Sequence, residues 1–179
     1  MSDKTITKWT IDPIHSVVQF KVKHLAVSNA NGTFKTFQGN VTTENEDFDE
    51  AKILLTIDAN SIDTNHEMRD GHLKAPEFFD TQKYPEILFN GLLHKKNDGY
   101  QLEGDLTIRD TTKRVTLDAE YTGIGKGRMG DTRAGFEVNG KINRKDFGIV
   151  LNLLTETGGL VVGEDIKLHF DIQLIKQAA

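Results

Sequence analysis

The chain has no cysteine. Disulfides, thiolate nucleophiles and cysteine-ligated zinc or iron–sulfur sites are therefore excluded. Three prolines stand against sixteen glycines, a balance that favours tight turns, bulges and close backbone approaches. Clustered positive charge is missing too. A net charge of −5 argues against a nucleic-acid partner, which needs grouped Lys and Arg. No run approaches the roughly 20 apolar residues of a membrane helix. The opening residues, MSDKTITKWTID, have neither an apolar core of signal-peptide length nor a small-residue cleavage site. The expected location is the cytoplasm. The apolar residues are few, 37% of the chain, but spread throughout, so disorder is not expected. One domain over residues 1–179 is the simplest organisation, large enough for a full core or for a barrel with an interior.

What the chain does have is alternation. Val18, Phe20, Val22 and His24 share one face of a strand whose other face carries Gln19, Lys21 and Lys23. A second strand returns with Phe34 and Phe37, and a third carries Ile53, Leu55 and Ile57. Glu44–Glu50, ENEDFDE, reads as an acidic turn held in water. Phe89 opens the β pattern again, Asp98-Gly99 supplies hairpin chemistry, and Leu102, Leu106 and Ile108 follow in phase. Arg109–Thr112 is a tight turn, in which Asp110 is the residue expected to tolerate a left-handed backbone. Val115 and Leu117, then Ala134, Phe136, Val138 and Ile142, and finally Ile166, Leu168, Phe170, Ile172 and Leu174 mark the remaining strands. Eight or nine short strands with hairpin-length turns point to an all-β, antiparallel barrel or sandwich, since parallel strands need helical crossovers. An eight-stranded barrel is just wide enough to be filled by side chains or to hold one small ligand. Gly91, Gly104, Gly135 and Gly140, with Ala119 and Ala134, lighten the inward face and weakly favour a cavity, because strand glycines also mark bulges.

One stretch breaks the pattern. Ser61–Pro85, SIDTNHEMRDGHLKAPEFFDTQKYP, carries a helical insert expected over about residues 61–80. Thr64 and Glu67 have capping-box spacing, and Gly71 and Pro76 limit the helix. His66 and Asp70 stand four apart, a geometry that can hold metal, but the second histidine of HExxH is absent. Capping and a charge network of Arg69, Asp70 and His72 against the barrel rim explain these residues better, and no metal site is assigned. Phe78, Phe79 and Tyr84 can pack across a barrel end.

Elsewhere, Asp12, His15 and Ser16 invite a Ser–His–Asp reading, yet a triad is a geometry rather than a spacing, and an Asp-Pro turn with a bonded histidine is the preferred account. His24 is either a satisfied interior histidine or a polar contact for a ligand headgroup. Gly123–Gly130, GIGKGRMG, lacks the phosphate-loop order and reads as a hairpin loop, whose Lys126 and Arg128 offer transient contact with an anionic headgroup or membrane surface.

Six segments together resemble the YceI-like lipid-binding proteins: WTIDPIHSVVQFKVKHLAVS, GTFKTFQG, SIDTNHEMRDGHLKAPEFFDTQKYPEILF, GDLTIRDTTKRVTL, RAGFEVNGKINRKDFGI and LVVGEDIKL, in that order from Trp9 to Leu168. The resemblance implies an extended lipocalin-like barrel whose apolar pore holds a polyisoprenoid or another long-chain amphiphile, with the headgroup near the mouth. It implies no cofactor and no catalytic residue, and it allows a homodimer. Some relatives are exported to the periplasm. The Gly125–Asp131 segment departs from the family in lacking its usual aromatic. The expected ligand-binding residues are Val18, Phe20, Val22, His24, Phe34, Leu55, Ile57, Phe78, Phe79, Phe89, Leu106, Phe136 and Phe170. Two other readings compete with a carrier: an enzyme acting on an isoprenoid or other lipid, and a barrel sealed by its own side chains with a stress or interaction role.

Overall fold

The computed structural model describes residues 5–25, 27–44, 47–151 and 162–178. Its strands are β1 Thr7–Ile11, β2 Val17–His24, β3 Ser28–Phe34, β4 Phe37–Thr43, β5 Ala51–Asp58, β6 Ile62–Asp63, β7 Glu86–Lys96, β8 Gly99–Ile108, β9 Thr111–Lys126, β10 Thr132–Asn143 and β11 Val162–Lys176. A single α-helix among the described residues, α1 Glu67–Leu73, lies between β6 and β7.

The ring runs β1-β4-β5-β7-β8-β9-β10-β11 and closes through a β1–β11 pairing, giving an eight-stranded antiparallel barrel. β11 is long enough to serve two partners. Its last residues pair with β1 (Ile11 opposite Leu174), and its earlier ones pair with β2 (Val18 opposite Phe170, Phe20 opposite Leu168). β3 continues the wall on β2 as β4 does on β1. β1 and β2 thus act as one long interrupted strand, β3 and β4 as another, and the barrel is lengthened at one end. Period-2 burial follows: Ala134, Phe136 and Val138 are buried, while the alternating Gly135, Glu137 and Asn139 are more open to solvent.

The strand ends define two unlike barrel ends. At one, the β4–β5, β7–β8 and β9–β10 connections surround an aromatic cluster. Phe48 packs on Trp9 at 5.2 Å and edge-on to Phe136 at 5.0 Å, while Tyr121 and Tyr100 meet Phe136 at 5.3 and 5.7 Å. These separations are those of favourable aromatic pairs. Phe48 comes from the segment expected to be a solvated acidic turn. Asp47 and Asp49 on either side are half-buried, Asp47 pairing with Lys95 at 3.1 Å, while Phe48 is only 5% exposed and caps the lumen. At the other end lie the β2–β3 turn, α1 and its following turns, and the 3-10 turn Arg144–Phe147.

The insert is less helical than its sequence suggests. Helix occupies only Glu67–Leu73, and its N-cap is His66, whose ring accepts the Arg69 N–H at 3.1 Å. Thr64 does not form a capping box with Glu67. It lies before the helix, where its hydroxyl donates to Asp70 and accepts from Arg69 Nε at 2.8 Å, while Arg69 also donates to the Thr64 carbonyl at 2.7 Å. A charged carboxylate six residues on outcompeted the free helix N–H groups for that hydroxyl.

Two glycine expectations also need correction. Gly91 and Gly104 are cross-strand partners, and a Cβ on Gly104 would stand 2.5 Å from the Asn90 carbonyl and 2.7 Å from the Phe89 ring. Their missing side chains let Phe89 lie flat on the wall. Gly135 does not face inward at all: it alternates with buried Ala134 and Phe136, beside a register shift opposite Gly123. The left-handed residue of the β8–β9 turn is Arg109 (φ 58°), not Asp110. Part of the glycine-rich segment is strand, since β9 runs to Lys126 and the turn is closed by Gly127 N–H donating to Asp131 O at 2.8 Å.

Candidate functional site

Inward side chains leave two internal cavities, stacked along the barrel. The one toward the aromatic cluster measures about 80 Å³ and is lined by apolar residues throughout, among them Leu55, Phe89, Phe136 and Val138. The other measures about 130 Å³ and is lined by Val18, Phe20, Val22, Phe34, Phe78 and Phe79, with Gln19 and Arg144 as its polar members. Ile57, Leu106, Leu168 and Phe170 border both, forming a waist. Each cavity alone is smaller than the roughly 300–1,000 Å³ of ordinary ligand pockets. A long chain would therefore have to thread the waist, with those four side chains turning aside.

The inner cavity continues outward into a third space of about 420 Å³, bounded by β2, β3 and α1. Phe20, Val22, Leu73, Phe78 and Val162 are common to both. This vestibule is where His24 sits. It is exposed, so the reading as an interior histidine is corrected: β2 runs past the ring, and its last residue emerges at the mouth. The other twelve expected residues line the two internal cavities. His66, the N-cap of α1, and His72, in its last turn, join His24 around the vestibule together with Lys23 and Arg69. Helical periodicity misses this grouping because His24 comes from the end of β2, far along the chain, and one space is lined by β2, β3 and α1 together.

The cover over the inner cavity is fastened by residues that sequence reasoning did not single out. Arg109, from the β8–β9 turn, donates from one guanidinium nitrogen to the carbonyls of Phe78 (3.1 Å) and Gly148 (3.3 Å), and its guanidinium carbon lies 5.9 Å from the centre of the Tyr84 ring. It joins the two segments that close this end. Buried Arg144 donates to the carbonyls of Gly163 (2.9 Å), Ile149 (2.8 Å) and Val162 (3.3 Å), tying the turn after β10 to β11. Burial pushes its guanidinium below the usual value, with Glu164 opposing that shift. Phe78 is buried, meeting His72 edge-on at 5.3 Å, and Phe79 meets Phe34 edge-on at 5.8 Å.

The suspected triad does not assemble. Asp12 bonds His15 Nδ1 at 2.7 Å and Arg133 at 2.6 Å, but the Ser16 hydroxyl accepts the Gln173 backbone N–H at 2.9 Å instead. His15 and Arg133 hold the Asp12 carboxyl well below its ordinary value, at about 2. The His66–Asp70 pair is likewise taken apart by its own bonds to Arg69 and Thr64. Among the described residues no group of three His, Asp or Glu is placed to hold a metal ion. None of their helices is long and apolar enough to cross a membrane. Lys126 donates to Thr132 at 3.0 Å, and with Arg128 it belongs to the barrel end away from the vestibule.

The comparisons with known proteins agree with this architecture. A family model for the YceI-like domain matches residues 9–174. A UPF0312 protein of Staphylococcus epidermidis is 40% identical over 165 residues, which span 92% of this chain and 95% of that protein. The crystal structure of a Campylobacter jejuni YceI protein superposes with a TM-score of 0.72 at 34% identity, covering 88% of this chain and 91% of that one. A polyisoprenoid-binding domain from Saccharophagus degradans shares the fold at 14% identity, with a TM-score of 0.69 over 94% of this chain and 98% of that one. The chain belongs to the YceI-like family.

Proposed function

We propose that the chain binds a polyisoprenoid or similar long-chain amphiphilic lipid inside the barrel, and sequesters or carries it without reacting on it. One observation carries this reading: an apolar path leads from the vestibule past Phe20, Phe78 and Phe79, through the waist, to Phe136. Each methylene buried along such a path contributes about 0.8 kcal/mol, so a long tail binds tightly with little demand on the headgroup. The polyisoprenoid-binding domain of Saccharophagus degradans, alike in fold, supports the same ligand class. Against catalysis stands the separation of Ser16, bonded to the Gln173 backbone, from the His15–Asp12 pair. Native mass spectrometry of the purified protein, before and after organic extraction, tests the proposal. A lipid adduct is expected; a protein that brings down no lipid and takes up no added long-chain prenol would sink the proposal.

A second reading is favoured by the small size of the two internal cavities, about 130 and 80 Å³. It holds that Ile57, Leu106, Leu168 and Phe170 seal the barrel, and the protein then acts through its surface. Leu106→Ala separates the two. A carrier should gain affinity for bulkier or longer tails, whereas a sealed barrel should only lose stability, by about 2–5 kcal/mol.

A further inference from the structure

The vestibule carries a charge pattern opposite to that of the whole chain. The chain is acidic, with a net charge of −5, yet the charged residues described in the lining of this space are Lys23 and Arg69, with His24, His66 and His72 beside them. Among the described residues that line it there is no carboxylate. Acids on the neighbouring elements are turned elsewhere: Asp70 to Thr64, Asp63 to Lys35 at 2.8 Å, and Glu164 to Lys145 at 2.8 Å. Glu67 stays on the exposed side of α1, outside the lining.

Around this opening stand apolar side chains that are exposed among the described residues. Val27 and Leu25, in the β2–β3 turn beside His24, are 83% and 42% exposed, and Met68, on α1 and in the vestibule lining, is 81% exposed. Leu25 is also held at φ 55°, a left-handed backbone that leucine rarely adopts. Exposed leucine, valine and methionine beside Lys23, which no described acid pairs, and Arg69, whose guanidinium is held by Thr64, form the composition that settles into the headgroup layer of a membrane, where apolar side chains enter the acyl boundary and Lys or Arg meet phosphates. A lone exposed apolar residue carries no such meaning. Met129 at the far end is 93% exposed, but behind it lies the closed aromatic cluster and not a cavity.

We propose that the vestibule end of the barrel docks on an anionic bilayer surface. Leu25, Val27 and Met68 enter the headgroup region, and Lys23, with the Arg69 N–H groups not used on Thr64, contacts lipid phosphates. Docking gives the carriage reading a route, because the vestibule and the inner cavity share Phe20, Val22, Leu73 and Phe78. A tail can then pass from bilayer to lumen without crossing water. The inference rests on that reading for its purpose, but the surface can be tested alone.

The experiment is flotation of the full chain with extruded vesicles, either phosphatidylcholine alone or phosphatidylcholine with about one third phosphatidylglycerol. The expected result is partition onto the anionic vesicles about tenfold above that onto neutral ones, falling as salt is raised. V27D with M68D should bring partition down to the neutral level, and M129D should leave it unchanged. All three side chains are exposed, so circular dichroism melting of the variants should match the parent. Absence of partition, equal partition onto both vesicle types, or loss on M129D with V27D/M68D still bound would overturn the proposal. Copurified lipid without vesicle binding would reject docking and leave carriage standing. Vesicle binding without any lipid uptake would do the reverse.

Discussion

The two ends of the barrel solve opposite problems with similar residue types. At the closed end, aromatic rings pack on one another and leave no opening, and the charges beside them are paired. Asp12 is bonded by Arg133 and His15, and Arg133 also reaches Asp131 at 3.0 Å. At the vestibule end the rings Phe20, Phe34, Phe78 and Phe79 line a space instead of filling it, and Lys23 and the three histidines are exposed, with no acid among the described lining residues. Aromatic content therefore does not distinguish a plug from a pore. The difference lies in what the rings meet. Phe136 touches three other rings, whereas Phe20, Phe34 and Phe79 meet in a chain, Phe78 meets His72, and all four otherwise look onto a cavity.

The largest effect should come from breaking the plug. Phe136→Ala removes a buried ring shared by Phe48, Tyr100 and Tyr121. It is expected to cost about 3–5 kcal/mol in urea unfolding, with the apparent m-value unchanged. A loss below about 1 kcal/mol would mean that the end is not closed by packing. The matching change at the other end is Phe78→Ala with Phe79→Ala. Each aromatic contact is worth about 0.5–1.5 kcal/mol beyond its area, so a preloaded fluorescent polyene should be released about tenfold faster. The stability loss should be smaller than for Phe136→Ala, because the insert lies outside the ring. Unchanged release would show that these rings do not retain ligand.

The paired charges sharpen the contrast by pH. Asp12 has its carboxyl near 2 against an ordinary 3.8, so its contribution is complete above the unfolded value and disappears as the pH falls from about 4 through 2. That contribution is about 2 kcal/mol. Asp12→Asn should lower stability by this amount at pH 7, about 5 °C in melting temperature, and should flatten the acid limb of the stability curve between pH 4 and 2. A variant whose acid limb keeps the parent slope would locate the acid-sensitive carboxylate elsewhere.

Most of the wall was readable in the sequence, because a half-buried strand repeats every second residue and a register error exposes its whole apolar face. Val18, Phe20 and Val22 on β2, or Ile166, Leu168 and Phe170 on β11, announced their inward face in that way. The site was less readable wherever a residue's partner lay far along the chain. Phe48 sits among acids, and only the β4–β5 connection brings it over Trp9. Thr64 has ideal capping spacing to Glu67, but Asp70 and Arg69 claim its hydroxyl. His24, His66 and His72 belong to different elements and faces, and they meet only because β2 and β3 outreach the ring. Glycine was visible as missing volume, but not that the Phe89 ring would occupy the space at Gly91 and Gly104.

Arg109 is the most local probe of the difference between the ends, and the smallest effect is expected there. It has no counterpart in the plug, where rings do the closing. At the vestibule end one guanidinium spans two carbonyls, those of Phe78 and Gly148. Removing it should cost about 1–2 kcal/mol, since hydrogen bonds from a charged donor contribute about 1.5–3 kcal/mol and this one is partly open to water. Arg109→Ala also leaves a non-glycine residue at φ 58°, so Arg109→Gly is the cleaner variant: it removes the clamp and relieves the backbone together. In hydrogen exchange, both variants should speed the amides of residues 74–84 and 144–149 while leaving β8 and β9 as protected as before. The glycine variant should recover part of the stability lost in the alanine variant without recovering that protection. If exchange instead rose along β8 and β9, Arg109 would be a residue of the wall, and the vestibule end would owe its closure to packing as the plug does.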